Sequence, residues 1–277
     1  MTLSARNDIF KGGIILSALS LILIALGGYF AFSAYPDAMA SAAMRPQGII
    51  QGLMEGRLEP SAYVPFFTML AAVLYSFISI LLITHFFEKT QSPEILFFGV
   101  FVISLSFEFF RLMVPLRTVF IFPSMHLITA SRILLFARYF GLFSLFAASV
   151  YAAGLDVQKQ RSTFFVLVLA ALVIALRLPI NSIVWDSTLM PWSAYQSMFA
   201  MVEAGILVVT VLTFFISAYT RGSRAYVFIG LGTFLVFTGR GLLINSDTWI
   251  TPVPGLLALA AGTWLIASRL RQEYLWL

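Results

Sequence analysis

The stretch "ILFFGVFVISLSFEFFRLMVP", Ile95–Pro115, decides how the rest of the chain is read. It is long enough to cross a bilayer core as a helix, which takes about 20 mostly apolar residues. Yet Glu108 and Arg111 sit near its end. A charged side chain at the centre of a spanning helix costs about 2.5–3.5 kcal/mol on insertion scales. Two such groups in one run ask for a compensating structure or a function.

Composition sets the solvent for this stretch. Of the 277 residues, 60% are hydrophobic and only 10% charged, whereas an ordinary soluble domain is about one-quarter charged. Seven further apolar runs of spanning length occur, at 10–34, 63–87, 131–154, 163–180, 194–218, 226–245 and 253–270. The expected fold is therefore all-α: a polytopic transmembrane helical bundle of about eight spans, forming a single integral membrane domain over 1–277. Seven spans are the alternative, because the fifth and last runs are short. The apolar run Ile14–Phe32 exceeds a usual signal-peptide core, so it reads as a retained first helix.

Lys and Arg orient the bundle. With eight spans, Arg6, Lys11, Lys89, Lys159, Arg161, Arg221, Arg224, Arg269 and Arg271 fall on one side. The other side has Arg45, Arg57, Arg117 and Arg132, and its loops "NSIVWDSTLMPWS" and "NSDTWITP" carry no Lys or Arg. The positive-inside rule then places both termini in the cytoplasm, in a membrane of the bacterial inner type. Trp185, Trp192, Tyr195 and Trp249 mark the outer interface, where amphipathic rings sit at headgroup level. In the outer loop over 35–62, "IIQGLMEGRLE" repeats apolar residues at helical spacing and suits an interfacial helix, with a plain loop as the alternative.

Several function classes lose support. The net charge of +5 is dispersed over helix ends, so nucleic acid is not an expected partner. Cysteine is absent and the histidines are only His85 and His126, which leaves no expected metal site or cofactor. No nucleophile elbow, H-E-x-x-H or phosphate-binding loop occurs, so no catalytic residue is assigned and an enzyme is the weaker reading. Pro115, Pro179, Pro252 and Pro254 lie at span ends and do not by themselves indicate a broken helix. Gly230, Gly232, Gly239, Gly241, Gly255 and Gly262 suit close packing of the last two spans.

At about 1.5 Å per residue from the cytoplasmic end, Glu108, Arg111, Arg177 and Arg240 lie roughly 20–24 Å into a core about 30 Å thick. Glu203 lies about 17 Å from that end, and Arg138 reaches the same layer from the outer end of its run. Arg111, Arg177 and Arg240 also head the similar stretches "RLMVPL", "RLPIN" and "RGLLIN", which suggests repeated helical hairpins. Glu108 and Arg111, three residues apart, share a helix face and can pair locally. Glu203 has no partner within one turn and is expected to meet an Arg of another helix.

Four arginines against two carboxylates leave a surplus of positive charge in this layer. Hence Glu108, Arg111, Arg138, Arg177, Glu203 and Arg240 are the expected ligand-binding residues of an outward-facing pocket, whose ligand is an anionic or amphiphilic small molecule. Snorkelling of the arginines to outer headgroups is the competing reading. The expected function is an inner-membrane binding or sensory protein. It would signal through a membrane partner contacted by the small-residue faces of the last two spans, or through an output domain of a longer protein. A homo-oligomer is another expected form, and membrane lipid is the surrounding partner. A small secondary transporter, a structural subunit and an intramembrane enzyme are the alternatives. The architecture is broadly similar to bacterial sensory modules of seven or eight short-looped helices, which is an analogy of fold alone.

Overall fold

The computed structural model describes residues 2–34, 63–193 and 196–275. The interfacial-helix segment, Tyr195 and the side chains of Trp185 and Trp192 lie outside the described residues. The chain is an all-α polytopic bundle in which eight helical stretches among the described residues are long and apolar enough to cross a membrane. In order these are α1 (Leu3–Ala34), α2 (Tyr63–Phe87), a composite third span, α5 (Ser124–Ala152), α6 (Gln160–Arg177), α7 (Gln196–Arg221), α8 (Ala225–Ile244) and α9 (Pro252–Leu275). The third span is made of α3 (Pro93–Ser104), a 3₁₀ segment Leu105–Leu112, and α4 (Met113–Phe120).

That third span is the pillar of the bundle. Buried residues make up 78% of it, against 22% of the fifth span and 11% of the sixth, which present their apolar surface outward. Outward apolar surface is what a helix facing acyl chains carries, since lipid sets no polar face. The pillar's lower half, with Phe97, Phe101 and Leu105, packs in one large cluster with Ile80 of α2, Tyr151 of α5 and Ile266 of α9. Its upper half joins Ile24, Met69 and Val73 through Leu112 and Val114.

The helix ends are satisfied as apolar surroundings require. Ser92 caps α3, accepting from the Ile95 N–H at 3.3 Å with Pro93 in the first turn. The Arg6 guanidinium donates to the carbonyls of Phe87 and Glu88, each at 2.8 Å, and of Thr90, closing the C-terminal end of α2. At the same end of the bundle the Tyr274 hydroxyl of α9 donates to Glu94 of α3 at 2.8 Å, so the first span begins and the last span ends on this side. We call this the terminal end.

The small-residue pattern of the last two spans is used within the chain. A Cβ on Gly262 would lie 2.6 Å from the Gly232 carbonyl oxygen, and one on Gly239 would lie 2.7 Å from that of Gly255. The glycine faces of α8 and α9 are thus closed on each other. Gly241 does not belong to this contact, because nothing lies within 4 Å of its Cβ position.

Opposite the terminal end, the loop expected between the fifth and sixth spans forms a hairpin. Its strands β1 (Ile180–Trp185) and β2 (Pro191–Ser193) pair antiparallel with an irregular register. One carboxylate oxygen of Asp186 orders the turn, accepting from Thr188 N at 2.9 Å, Thr188 Oγ1 at 2.7 Å and Met190 N at 3.0 Å. Leu189 adopts a left-handed φ of 60°. It is buried in the cluster of Leu112, Met69 and Leu127. The hairpin tip therefore plugs this end of the bundle, and apolar burial offsets the left-handed cost of about 1–2 kcal/mol.

Candidate functional site

The pillar changes its winding where the charges begin. Eight consecutive 3₁₀ residues exceed the usual run of about 3–4. At three residues per turn, side chains i and i+3 eclipse, and the segment acquires three separate faces. Leu105, Glu108 and Arg111 form one, Ser106, Phe109 and Leu112 the second, Phe107 and Phe110 the third. An α-helix would spread these residues around its circumference. The expectation of an unbroken span is corrected here, and no proline lies within the segment.

Serines hold the second face in place. Ser106 Oγ lies 2.6 Å from Ser17 Oγ of α1 and 2.9 Å from Ser76 Oγ of α2. Ser76 also donates to the Val102 carbonyl at 2.7 Å, and Ser104 to that of Phe101 at 2.7 Å. These hydroxyls satisfy main-chain oxygens where the α-helical ladder stops, as membrane-embedded breaks require. Beside them a Cβ on Gly141 would collide with the Ser104 side chain, so the glycine lets α5 approach the pillar.

The first face carries the ion pairs. Arg138 of α5 grips Glu108 with both prongs, Nε to Oε1 and Nη2 to Oε2, each 2.8 Å. Arg111 Nη1 stands 3.6 Å from Glu108 Oε2, too far for a hydrogen bond. The local Glu108–Arg111 pair expected from their spacing is therefore the weaker contact, and the strong partner comes from another helix. Arg111 turns its Nε to the Thr188 carbonyl at 2.9 Å, with Nη2 on the same oxygen. The guanidinium thereby latches the hairpin tip to the pillar. Its Nη1 is buried with no hydrogen-bond partner among the described residues.

A second pair completes the layer. Arg240 of α8 is 4% exposed, and its Nη1 lies 3.7 Å from Glu203 Oε2 of α7, which is 32% exposed. Glu203 thus meets an arginine of another helix, as expected. Arg240 makes no hydrogen bond among the described residues. It lies in Coulombic range of Arg138 and Glu108, so the two pairs form one network. Tyr139 of α5 and Phe199 of α7, with ring centroids 5.8 Å apart, stand beside this pair. Glu203 is the exposed edge of an otherwise buried cluster.

Five of the six expected residues come together; Arg177 does not. It is exposed at the end of α6 and forms no ion pair among the described residues. Resemblance of "RLPIN" to the other two stretches did not carry burial with it. A group the sequence reading missed is Asp186, which acts electrostatically on both Arg111 and Arg138. With Arg177 outside and Asp186 inside, three arginines face three carboxylates, so the expected positive surplus is absent. What the layer offers an anion is unused N–H groups on Arg111 and Arg240.

Among the described residues no group of three or more His, Asp or Glu side chains could hold a metal ion. No protein-family model and no curated protein matches this sequence. Fold and polar layer together define a class, the multi-pass α-helical integral membrane proteins.

Proposed function

We propose that this chain is a ligand-binding, sensory membrane protein that takes an anionic amphiphile at the Arg111–Arg240 layer, with the hairpin end facing out of the cytoplasm. The observation that carries this reading is the buried Arg111 Nη1, which has no hydrogen-bond partner among the described residues. Leaving a buried donor unmade costs about 1–3 kcal/mol, and more for a charged group. A carboxylate or phosphate oxygen would supply the acceptor that this guanidinium lacks. Because the cluster is exposed on the Glu203 side, among apolar helices, an amphiphile can present its head there while its tail stays in the bilayer.

Binding has a direct structural consequence in this reading. Arg111 also holds the hairpin tip through the Thr188 carbonyl, so an anion that competes for the guanidinium weakens the latch. The hairpin is then the element whose position depends on the ligand, and a membrane partner or an output domain reads it. The bacterial inner membrane and cytoplasmic termini belong to this reading, supported by the Lys and Arg distribution.

A small secondary transporter is the second reading, favoured by the interruption of the third span beside the charges. Sealed proteoliposomes distinguish the two. With octyl phosphate as probe, saturable binding without sustained uptake supports the sensory reading. Concentrative uptake driven by a sodium or proton gradient overturns it and establishes transport.

A further inference from the structure

We propose a second binding site, independent of the charged layer: a specific site for an anionic phospholipid in the groove between α2 and α9. Because α9 turns its glycine face to α8, its opposite stripe of Leu256, Ala260, Trp264 and Ala267 leans over α2, touching it through the hydrogen bond between the Tyr75 and Thr263 hydroxyls. A groove of about 510 Å³ remains, walled on the other side by Phe67 to Phe87. From Phe67 to Phe86 the helix rise gives a length of about 28 Å, nearly the whole ~30 Å hydrocarbon core.

The groove is mostly apolar, the Tyr75 and Thr263 hydroxyls being spent on each other, and it ends in a cation. A cavity of about 470 Å³ continues it past Phe86, Phe87, Trp264 and Ala267 to Arg271 and Gln272 at the terminal end. Arg271 is exposed and lies over the Phe86 ring, 5.3 Å from guanidinium carbon to centroid. No carboxylate pairs with it among the described residues. Its neighbour Arg269 is otherwise engaged, 4.5 Å over the Phe228 ring and donating to Gln272 at 2.8 Å.

Charge complementarity selects the occupant. A free cation at the mouth of a spanning apolar groove matches a phosphate head with an acyl chain behind it, in the leaflet on the terminal side. Arg271 binds the phosphate, and the Trp264 and Phe86 rings line the path of the chain. A second protein helix would also fill an apolar groove, but would leave Arg271 without a counter-charge.

Trp264 reports on the site. The protein is reconstituted in vesicles containing phosphatidylglycerol or phosphatidylcholine brominated on an acyl chain, and the Trp264 signal is isolated by difference from Trp264→Phe. We expect the anionic lipid to quench Trp264 at about fivefold lower mole fraction than the zwitterionic one. The preference disappears in Arg271→Gln and survives in Arg271→Lys. Arg271 is exposed, so neither variant threatens folding. Equal quenching by the two lipids, or a preference that persists in Arg271→Gln, leaves only ordinary boundary lipid and overturns the proposal. Absence of quenching by either lipid overturns it in favour of a protein occupant.

Discussion

Arg138 binds Glu108 through two parallel hydrogen bonds of 2.8 Å, the strongest polar link between the pillar and α5. Glu108 is 1% exposed and Arg138 12%, so neither charge has much water to fall back on. Buried pairs of this kind add little net stability, because desolvation offsets the Coulombic gain. Removing one partner is another matter. Glu108→Gln is expected to lower stability by about 3–5 kcal/mol, since it strands Arg138 and Arg111 together. Arg138→Lys, which keeps charge and loses the fork, should cost less. Reversible unfolding in mixed micelles measures both, and equal losses in the two variants would contradict this geometry.

The hairpin latch gives a local expectation. Asp186 Oδ1 accepts three hydrogen bonds within the turn that presents Thr188 to Arg111. In Asp186→Ala the turn loses its organiser, and amide hydrogen exchange over 186–190 should accelerate by at least about tenfold. Exchange over 97–104 of the pillar should stay unchanged. Uniform acceleration across the bundle would mean that Asp186 serves global stability rather than the latch.

Gly262 and Gly241 make a matched pair. Gly262→Ala drives a methyl to 2.6 Å from a main-chain oxygen of α8, while Gly241→Ala meets nothing within 4 Å. We expect Gly262→Ala to cost about 1–3 kcal/mol by forced separation of the helices and Gly241→Ala to be neutral. Thermal unfolding in detergent checks the contrast, and equal effects would contradict the close α8–α9 approach.

How far these features were legible in the residues themselves varies with how local they are. The eight spans rest on long apolar runs, and hydropathy reads those directly. Depth along a helix is also readable, and it sets Glu108, Arg111, Arg138, Glu203 and Arg240 in one layer. Azimuth was not readable, which is why Arg177 was grouped with them although it faces away, and why Arg138 was not singled out as the partner of Glu108. The 3₁₀ segment was invisible because its support comes from Ser17 and Ser76, on other helices. Asp186 lay in what read as a plain loop, although an Asp two residues before Thr188 is a turn-forming signal. The glycines are legible as packing residues, because small side chains at helical spacing mark a close approach of helices.

Topology has a clean assay because the chain has no cysteine. Single cysteines at Ser187 and Gln158 should react with a membrane-impermeant maleimide from opposite sides. An odd number of crossings between Gln158 and Ser187 requires this, since only α6 and half the hairpin separate them. Labelling of both from the same side would remove the fifth span and with it the shared end for the two terminal helices.

The central claim is that the open guanidinium groups of the layer bind an anion, and Arg240 with Arg177 tests it most directly. The protein in nanodiscs is titrated with octyl phosphate, with octyl glucoside as the neutral amphiphile, and binding is followed by tryptophan fluorescence. Arg240→Ala removes a charged donor from the layer and should weaken octyl phosphate binding by at least about tenfold, whereas exposed Arg177→Ala should leave it unchanged, and octyl glucoside should not distinguish the variants. Equal binding of octyl phosphate by the wild-type protein and Arg240→Ala, or an equal loss in Arg177→Ala, would contradict the account.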